Sequence, residues 1–433
     1  MAGNINFLPC SCSFRLFCKF NIDDDDDDQE PNFRSQSFSQ ESFNSSFSSR
    51  SSLPTSISAM IPPSTTLQHH CISTFKPDSS HILSLTISEN HLFIGTSTHI
   101  HLLPTTNDNK LISIPCNSAV KSFHILNEDI LITAHQDHKI RIWRINKLKT
   151  VPSGIGSEFK GKARQDIKYS LKIITTLPTL KDRLTKILFA KNYVTIRRHK
   201  KLTWVHHIDA VSSLAISKDK SLIYSASWDR SFKVWRVSDF KCLESVSNAH
   251  DDAINAIVLS NEDFVYTGSA DKKIKVWQYN KMERKHELIS SLLHHKSAVN
   301  ALAYDASSCI LISGACSGVM IASERKFSDD DQHMVVIGAL LGHKKAILCV
   351  KLVKELVCSG SADKTVRLWR RTVGGSYSCL GFLDGHGGPV KCLAFSNDSD
   401  SDSDGDGDGR GYMVYSGGLD GDIKVWKVWV PSL

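Results

Sequence analysis

No run of the chain approaches the roughly 18 consecutive apolar residues that a membrane-spanning helix needs, which argues against a helical membrane protein. A secretory leader is not expected either. The short apolar run near the start is broken by Arg15 and Lys19, and no unbroken apolar core or small-residue cleavage site follows. The 12 cysteines include no C-x-x-C pair, which excludes a zinc ribbon and a thioredoxin-like motif. They are expected to be reduced thiols of an intracellular protein, several of them small core residues. Strong charge of one sign is absent from most of the chain. The formal net charge of +7 arises in residues 146–201, with 15 basic and 3 acidic side chains, offset by 4 basic and 8 acidic ones in residues 1–69. The protein is not basic overall; it carries one basic insert.

What is present is globular composition, 41% hydrophobic and 22% charged, over 433 residues, a length that calls for two or three domains or one large repeat array. Residues 1–69 stand apart. Asp23 to Asp28 are six consecutive aspartates, and 12 of the 24 residues from Ser35 to Ser58 are serine, with Phe33, Phe38, Phe43 and Phe47 isolated among polar neighbours. Such a segment buries too little apolar surface to offset its conformational entropy, so a disordered tail over 1–69 is expected. Serine beside acidic and aromatic residues also suits a phosphorylated docking segment, and composition does not separate the two.

From about residue 70 the chain repeats itself. In five segments an aspartate stands six residues before a tryptophan: Asp137 and Trp143, Asp229 and Trp235, Asp271 and Trp277, Asp363 and Trp369, Asp420 and Trp426. A serine or threonine lies four residues before each aspartate, at Thr133, Ser225, Thr267, Ser359 and Ser416. Upstream comes a histidine with Val or Ile four residues later, as in His207 and Val211, His250 and Ile254, His295 and Val299, His343 and Ile347, His386 and Val390. Blocks such as LIYSASWDRSFKVW alternate in the period-2 manner of strands, with a Ser/Asp turn between them. Two further copies are degraded. Residues 299–323 carry Ser317 and Ser323 where the aspartate and tryptophan are expected, and residues 82–103 lack both. Strand starts fall at about 82, 120, 211, 254, 299, 347 and 390, and the one long spacing is an ordinary repeat plus about 48 inserted residues. A period near 40–45 with four short strands per unit is the signature of a β-propeller, so the fold is predicted to be all-β with seven blades.

Taken with the strings HHIDAVSSLAIS, SASWDRSFKVWRVSDFKCLESVSNAHDDAINAIV, TGSADKKIKVW, SGSADKTVRLWRR and GHGGPVKCLA, residues 70–433 resemble the WD-repeat (WD40) propeller family. With the insert LPTLKDRL…KNYVTIRRHKKLTWVHH they are similar to the plant WD-repeat group that includes protein JINGUBANG. The resemblance implies a buried hydrogen-bond chain in each blade. The turn aspartate accepts from the histidine ring, the histidine bonds the Ser/Thr hydroxyl, and that hydroxyl accepts from the indole N–H. The sets are His207, Ser225, Asp229 and Trp235; His250, Thr267, Asp271 and Trp277; His343, Ser359, Asp363 and Trp369; and His386, Ser416, Asp420 and Trp426. The same residue types form a catalytic Ser-His-Asp array, but an active site occurs once and these sets recur, so they are structural. Each repeat tryptophan is followed by Arg144, Arg236, Gln278, Arg370 or Lys427. The Trp-Asp-x-Arg ending associated with cullin-ligase substrate receptors is therefore missing.

Three near-motifs fail on chemistry. Gly156 to Ala163 has phosphate-loop spacing, but Ala163 stands where a hydroxyl must hold magnesium. Asp400, Asp402, Asp404 and Gly405 match a calcium loop, but Gly411 replaces the bidentate glutamate, so residues 398–408 read as an acidic loop within the last blade. His286 in HELIS lacks a second histidine four residues on. No metal, cofactor or enzyme motif survives. The insert, 146–201, is expected to hold the outer strand of blade two near 169–176. A helix with Leu184, Ile187 and Leu188 on one face should follow, then a hairpin tipped by Arg197, Arg198, His199, Lys200 and Lys201. This cluster is a candidate surface for an anionic partner, lipid or nuclear import factor, or a solvated decoration of the rim. Nucleic acid is disfavoured, because no stacking series of aromatics interleaves the cations.

The function predicted is a non-enzymatic scaffold, a monomeric disc whose loops grip other proteins or peptide motifs. The resemblance implies a plant regulatory protein with transcription-factor or signalling partners in cytoplasm or nucleus; a ubiquitin-ligase substrate receptor and an anionic-ligand binder are the alternatives. The candidate anchor is Trp228, in the turn before Asp229, where other copies place Gln136, Ala270, Ala362 and Leu419. The tryptophan role of that blade is already filled by Trp235, and Asp209, Asp252 and Lys345 lie in the lead-in loops nearby. Packing against the neighbouring blade or Trp204 is the plainer account of Trp228. Finally, too few residues follow Trp426 to supply an outer strand for blade seven, so residues 70–76 are expected to complete it and close the ring.

Overall fold

The computed structural model describes residues 67–78, 80–88, 91–105, 111–149, 167–187, 193–197, 200–327, 332–372, 374–397 and 409–431. The expected tail up to residue 66, the phosphate-loop mimic and the acidic loop 398–408 lie outside these residues. The described chain forms seven four-stranded antiparallel sheets and one two-stranded hairpin. Blades one to six occupy 84–115, 120–177, 211–246, 254–292, 299–340 and 347–383, and blade seven takes 390–431. Each inner strand contacts the next around the ring, and the seventh meets the first. Six inner strands begin at Val120, Val211, Ile254, Val299, Ile347 and Val390, as the repeat spacing predicts, while that of blade one begins at Ser84.

Strand burial follows from the sandwiching of each sheet between two neighbours. In blade three the second strand, Leu222–Ser227, is buried from Ile223 onward, whereas the outer strand, Cys242–Val246, is mostly half-exposed. Middle strands are thus covered on both faces and read as runs of apolar and small residues. The second strand also carries one small residue per blade, where a side chain at, or two residues before, the start of the next inner strand packs. A Cβ added at Gly268 would lie 2.8 Å from Val299 Cγ1, and at Gly314 2.5 Å from Ile347 Cγ2.

A β-bulge recurs at the start of six inner strands, for example between Val211 and Ser213, Ile254 and Ala256, and Val299 and Ala301. A bulge leaves one residue outside the ladder and re-aims its side chain. Ser212, Asn255 and Asn300 use that freedom to donate to the carbonyls of Ile254, Val299 and Ile347 in the following blade, at 2.6, 2.9 and 2.9 Å. In blades two and seven the bulged residue is instead a lysine, Lys121 or Lys391.

The missing outer strand of blade seven is Gln68–Phe75, paired antiparallel with Ile423–Pro431 through Cys71↔Trp426 and Phe75↔Ile423. The strand begins inside the segment expected to be disordered to residue 69, so the propeller boundary moves to Leu67. The spacing that predicts the insert's helix does not reveal how it docks. Its helix, Leu180–Ile187, leaves Leu184 65% exposed and buries Asp182 instead, whose carboxylate accepts from the Cys242 N–H at 2.9 Å. The open ladder edge of blade three offers an unpaired donor, and an acceptor on the helix satisfies it better than a leucine face does. Thr179 caps the helix by accepting from the Asp182 N–H at 3.1 Å. Among the described residues no helix is long and apolar enough to cross a membrane.

Ring closure is testable by truncation. A chain starting at Leu67 retains the outer strand of blade seven, whereas one starting at Ser80 exposes the edge of Ile423–Pro431. The second should melt several degrees lower and aggregate on concentration, and equal melting by calorimetry would contradict the closure.

Candidate interaction face and its buried supports

Four blades contain the complete buried chain. In blade three His207 Nδ1 donates to Asp229 Oδ2 at 3.0 Å, its Nε2 accepts from Ser225 Oγ at 2.8 Å, and Trp235 Nε1 donates to the same hydroxyl at 2.9 Å. Blade four repeats this with His250, Asp271, Thr267 and Trp277 at 2.8, 2.7 and 2.9 Å. Blade six uses His343, Asp363, Ser359 and Trp369 at 2.8, 2.8 and 3.0 Å, and blade seven His386, Asp420, Ser416 and Trp426 at 3.0, 2.8 and 2.8 Å. Each aspartate also collects backbone N–H groups, such as Ile208 and Ser231 on Asp229. One side chain thus ties the lead-in loop to the turn between the second and third strands.

Electrostatics follow from this bonding. Burial alone would push the Asp420 carboxyl up, but hydrogen bonds from His386 and nearby backbone N–H groups outweigh it and hold it down at about 2. In Asp229 burial is likewise overcome by His207 and Ser231, and the carboxyl lies far below the usual range. Burial pulls His207 and His250 below the ordinary imidazole value even against the opposing pull of their aspartates. At neutral pH these are neutral imidazoles hydrogen-bonded to carboxylates.

The remaining blades solve the same problem differently. In blade two the imidazole comes from the second strand: His135 Nε2 meets Thr133 Oγ1 at 2.7 Å, Trp143 Nε1 donates to that hydroxyl at 2.8 Å, and Asp137 turns to Arg141. Blade five keeps only His295 on Ser313, at 2.7 Å. Blade one, which the repeat pattern left empty, joins His101 Nδ1 to Ser113 Oγ at 2.7 Å and His101 Nε2 to Asp78 Oδ2 at 3.2 Å. No metal site was expected from the sequence, yet Asp78, His99 and His101 bring three ligand atoms within 4.8 Å of one another. The pointer available in the sequence was the His-x-His spacing, which places both rings on one face of a strand.

The turn residues named above are structurally equivalent. The N–H groups of Gln136, Trp228, Ala270, Ala362 and Leu419 donate to the lead-in carbonyls of Ala119, Ala210, Ala253, Ala346 and Pro389, and Cys316 does the same to Ala298. Trp228 is the one aromatic among the six, and it is half-exposed. Lys121 of blade two stands over its ring at 5.1 Å from the centroid, an attractive cation–π geometry. Trp204, by contrast, belongs to the core between blades two and three and carries Lys186 over its ring. Burial, then the charge of Lys391, pulls the Lys121 ammonium down to about 8, against an opposing effect of Asp209. Asp209 and Asp252 are exposed, each accepting from the following N–H at 2.7 Å, and Lys345 is exposed on its own lead-in loop. Arg197 ends one hairpin strand, Tyr193–Arg197, and Lys200 and Lys201 open the other, Lys200–Thr203. Arg198 and the side chains of this cluster lie outside the described residues.

A closed ring of seven four-stranded sheets defines the class, a β-propeller. The model of the family WD domain, G-beta repeat matches residues 199–236, 240–278, 286–321, 327–370 and 377–427, which span the inner strands of blades three to seven. The chain is a WD-repeat protein. Sixty of its residues are 40% identical to Pre-mRNA-processing factor 19 homolog 2 of Arabidopsis thaliana, over 13% of this chain and 11% of that protein. The rice (Oryza sativa subsp. japonica) Pre-mRNA-processing factor 19 is 38% identical over 60 residues with the same coverage, 13% and 11%. WD repeat-containing protein pop2 of Schizosaccharomyces pombe is 29% identical over 143 residues, 33% of this chain and 17% of that protein. The matched stretches therefore span less than a fifth of each relative.

Two outcomes test the buried chain. Asp229→Ala leaves the His207 ring and two backbone N–H groups without an acceptor, so denaturant unfolding should show a loss of about 1–3 kcal/mol for each orphaned donor. For pH, burial (with Arg141 and His294 respectively) depresses His135 and His295 to about 4. Protonation then favours the unfolded chain, whose histidines titrate near about 6.5. Stability is complete above that value and falls as pH drops toward 4, each histidine contributing on the order of 1–3 kcal/mol. The carboxylates add their loss only below about 4. Melting temperature should decline through this upper window and decline less in His295→Gln; a melting temperature constant down to pH 4.5 would contradict it.

Proposed function

We propose that this WD-repeat protein is a non-enzymatic interaction scaffold. It grips protein or peptide partners on the face formed by the lead-in loops, with Trp228 as the anchor. The observation that carries this reading is the placement of Trp228. It occupies a turn position where five other blades hold Gln, Ala, Cys or Leu, outside the buried chain that Trp235 completes, and its side chain stays partly open to solvent. Interface hot spots are enriched in such aromatics, and a ring already held by Lys121 gives up little rotamer freedom on binding. Asp209, Asp252 and Lys345 surround the face with both signs of charge, suited to selecting a partner rather than to holding it.

The finer reading is a regulator of the plant WD-repeat group that includes protein JINGUBANG, working with transcription or signalling proteins in cytoplasm or nucleus without a cofactor. It rests on the insert strings and the repeat blocks. The relatives named above share only repeat-length stretches with the chain, so pre-mRNA processing is not transferred from them. A ubiquitin-ligase substrate receptor remains the weaker alternative, because each repeat tryptophan lacks the following aspartate. Affinity purification with mass spectrometry identifies the partner. Binding of that purified partner should then weaken by about 2 kcal/mol or more in Trp228→Ala with little change in melting. Unchanged binding together with clear destabilisation would assign Trp228 to the fold.

A further inference from the structure

We propose that Asp78, His99 and His101 form a binding site for one divalent transition-metal ion of the zinc type, which pins the ring-closing segment to blade one. His99 and His101 lie on the third strand of blade one, His99–Pro104, where the two-residue period puts both rings on one face. Asp78 lies three residues beyond the closing strand Gln68–Phe75, in the segment that leads into blade one. Its Oδ1 accepts the Ser80 N–H at 2.8 Å, which leaves Oδ2 facing both imidazoles, 3.2 Å from His101 Nε2 and 3.9 Å from His99 Nδ1. Tetrahedral zinc with bonds of about 2.0–2.2 Å has ligand–ligand edges of about 3.4 Å. The two edges to Asp78, 3.2 and 3.9 Å, bracket that length. The two imidazole nitrogens, within 4.8 Å of each other, close onto the ion by a turn of the part-exposed His99 ring.

The outer contacts fit a metal site. Ser113 Oγ holds His101 Nδ1 at 2.7 Å, which fixes the ring so that Nε2 faces the carboxylate, the kind of supporting bond that orients ligating imidazoles. His101 is 2% exposed and His99 38%, so one ligand is immobile and the other is open for an incoming ion to reorient. Neutral imidazole with carboxylate suits zinc and neighbouring divalent ions better than calcium or magnesium.

Comparison between blades supplies the physical reason for an ion here. The position of His101 in the third strand is Arg141, Lys233, Lys275, Arg367 and Lys424 in five other blades. Two of those cations hold the lead-in loops, Lys233 Nζ on the Trp204 carbonyl and Lys275 Nζ on that of Ala249, both at 2.6 Å, while Arg141 bonds Asp137 in the turn and Lys424 bonds Thr74 of the closing strand. Blade one places an imidazole there and offers it a carboxylate. A divalent ion bound by both, with the single imidazole proton moved from Nε2 to Nδ1 and donated to Ser113 Oγ, supplies the positive charge that five other blades carry covalently.

The experiment uses the full chain stripped with chelator and titrated with zinc chloride, followed by calorimetry and thermal melting. One equivalent should bind and raise the melting temperature by several degrees at about a hundredfold excess over Kd. His99→Ala and Asp78→Asn should each bind one ion fewer and lose the shift, with the metal-free melting of His99→Ala unchanged because that ring is part-exposed. Ser113→Ala should keep the site and weaken it about tenfold or more. The proposal is overturned if zinc leaves the wild-type melting temperature unchanged, or if both ligand variants bind as many ions as the wild type. Either result would leave His101 and Asp78 as a plain hydrogen-bonded pair.

Discussion

The small residue in the second strand of each blade governs the architecture. A side chain at, or two residues before, the start of the next inner strand fills the space where a larger Cβ substituent would stand. Val299 packs on Gly268, Ile347 on Gly314, Val390 on Gly360 and Ile82 on Gly417, with distances from an added Cβ of 2.8, 2.5, 2.7 and 2.6 Å. Packing this close leaves no gap for a neighbouring blade to slide or tilt, since a core tolerates neither voids nor overlap. Because the contact from blade seven to blade one has the same form as the others, the ring closes without a special interface. What closure still requires is a complete seventh sheet, and that is why a strand from residues 68–75 joins Ile423–Pro431.

Given that keyed packing, the bulged residue of each inner strand becomes free to act. Where it is Ser212, Asn255 or Asn300 it bonds the next blade and adds to the ring. Blade six places Leu348 at this position and blades two and seven place Lys121 and Lys391, and Lys121 stands over Trp228. Two departures from the repeat rule, a lysine in the belt and a tryptophan in the turn, therefore coincide in space on one face. Local departures from an otherwise consistent pattern are where function is expected, because the fold does not need them.

The sequence was informative wherever a structural need recurs. Six inner-strand starts and four complete hydrogen-bond chains were readable because identical residues at fixed offsets meet an identical need in each blade. Blade two escaped because His135 reaches Thr133 from two residues away in the same strand, so the histidine is present but not where the repeat places it. Blade one escaped for the opposite reason. Asp78 and His101 are 23 residues apart and no other copy shares their pairing. The docking of the insert helix was not legible because leucine spacing describes the helix alone, while the docking depends on an N–H at Cys242 in another blade that Asp182 accepts from. Repetition reveals what every blade does and is silent about what one blade does.

The buried chains also explain why a propeller of this kind suits recognition. Each joins a lead-in loop to a turn through a buried carboxylate and imidazole, so the loops that form the face are fixed from beneath. A loop held in this way has already lost most of its conformational freedom on folding, and a partner need not supply that entropy again on binding. Asp209 and Asp252 illustrate the result: both side chains are exposed, yet each is fixed by the following backbone N–H, in a loop that Asp229 or Asp271 anchors. Specificity then changes at little structural cost, since replacing an exposed residue on such a loop alters the charge offered to a partner and leaves the hydrogen bonds beneath it intact. Trp228 sits in such a turn: its backbone N–H bonds the Ala210 carbonyl, and its ring lies outside the buried chain that Trp235 completes.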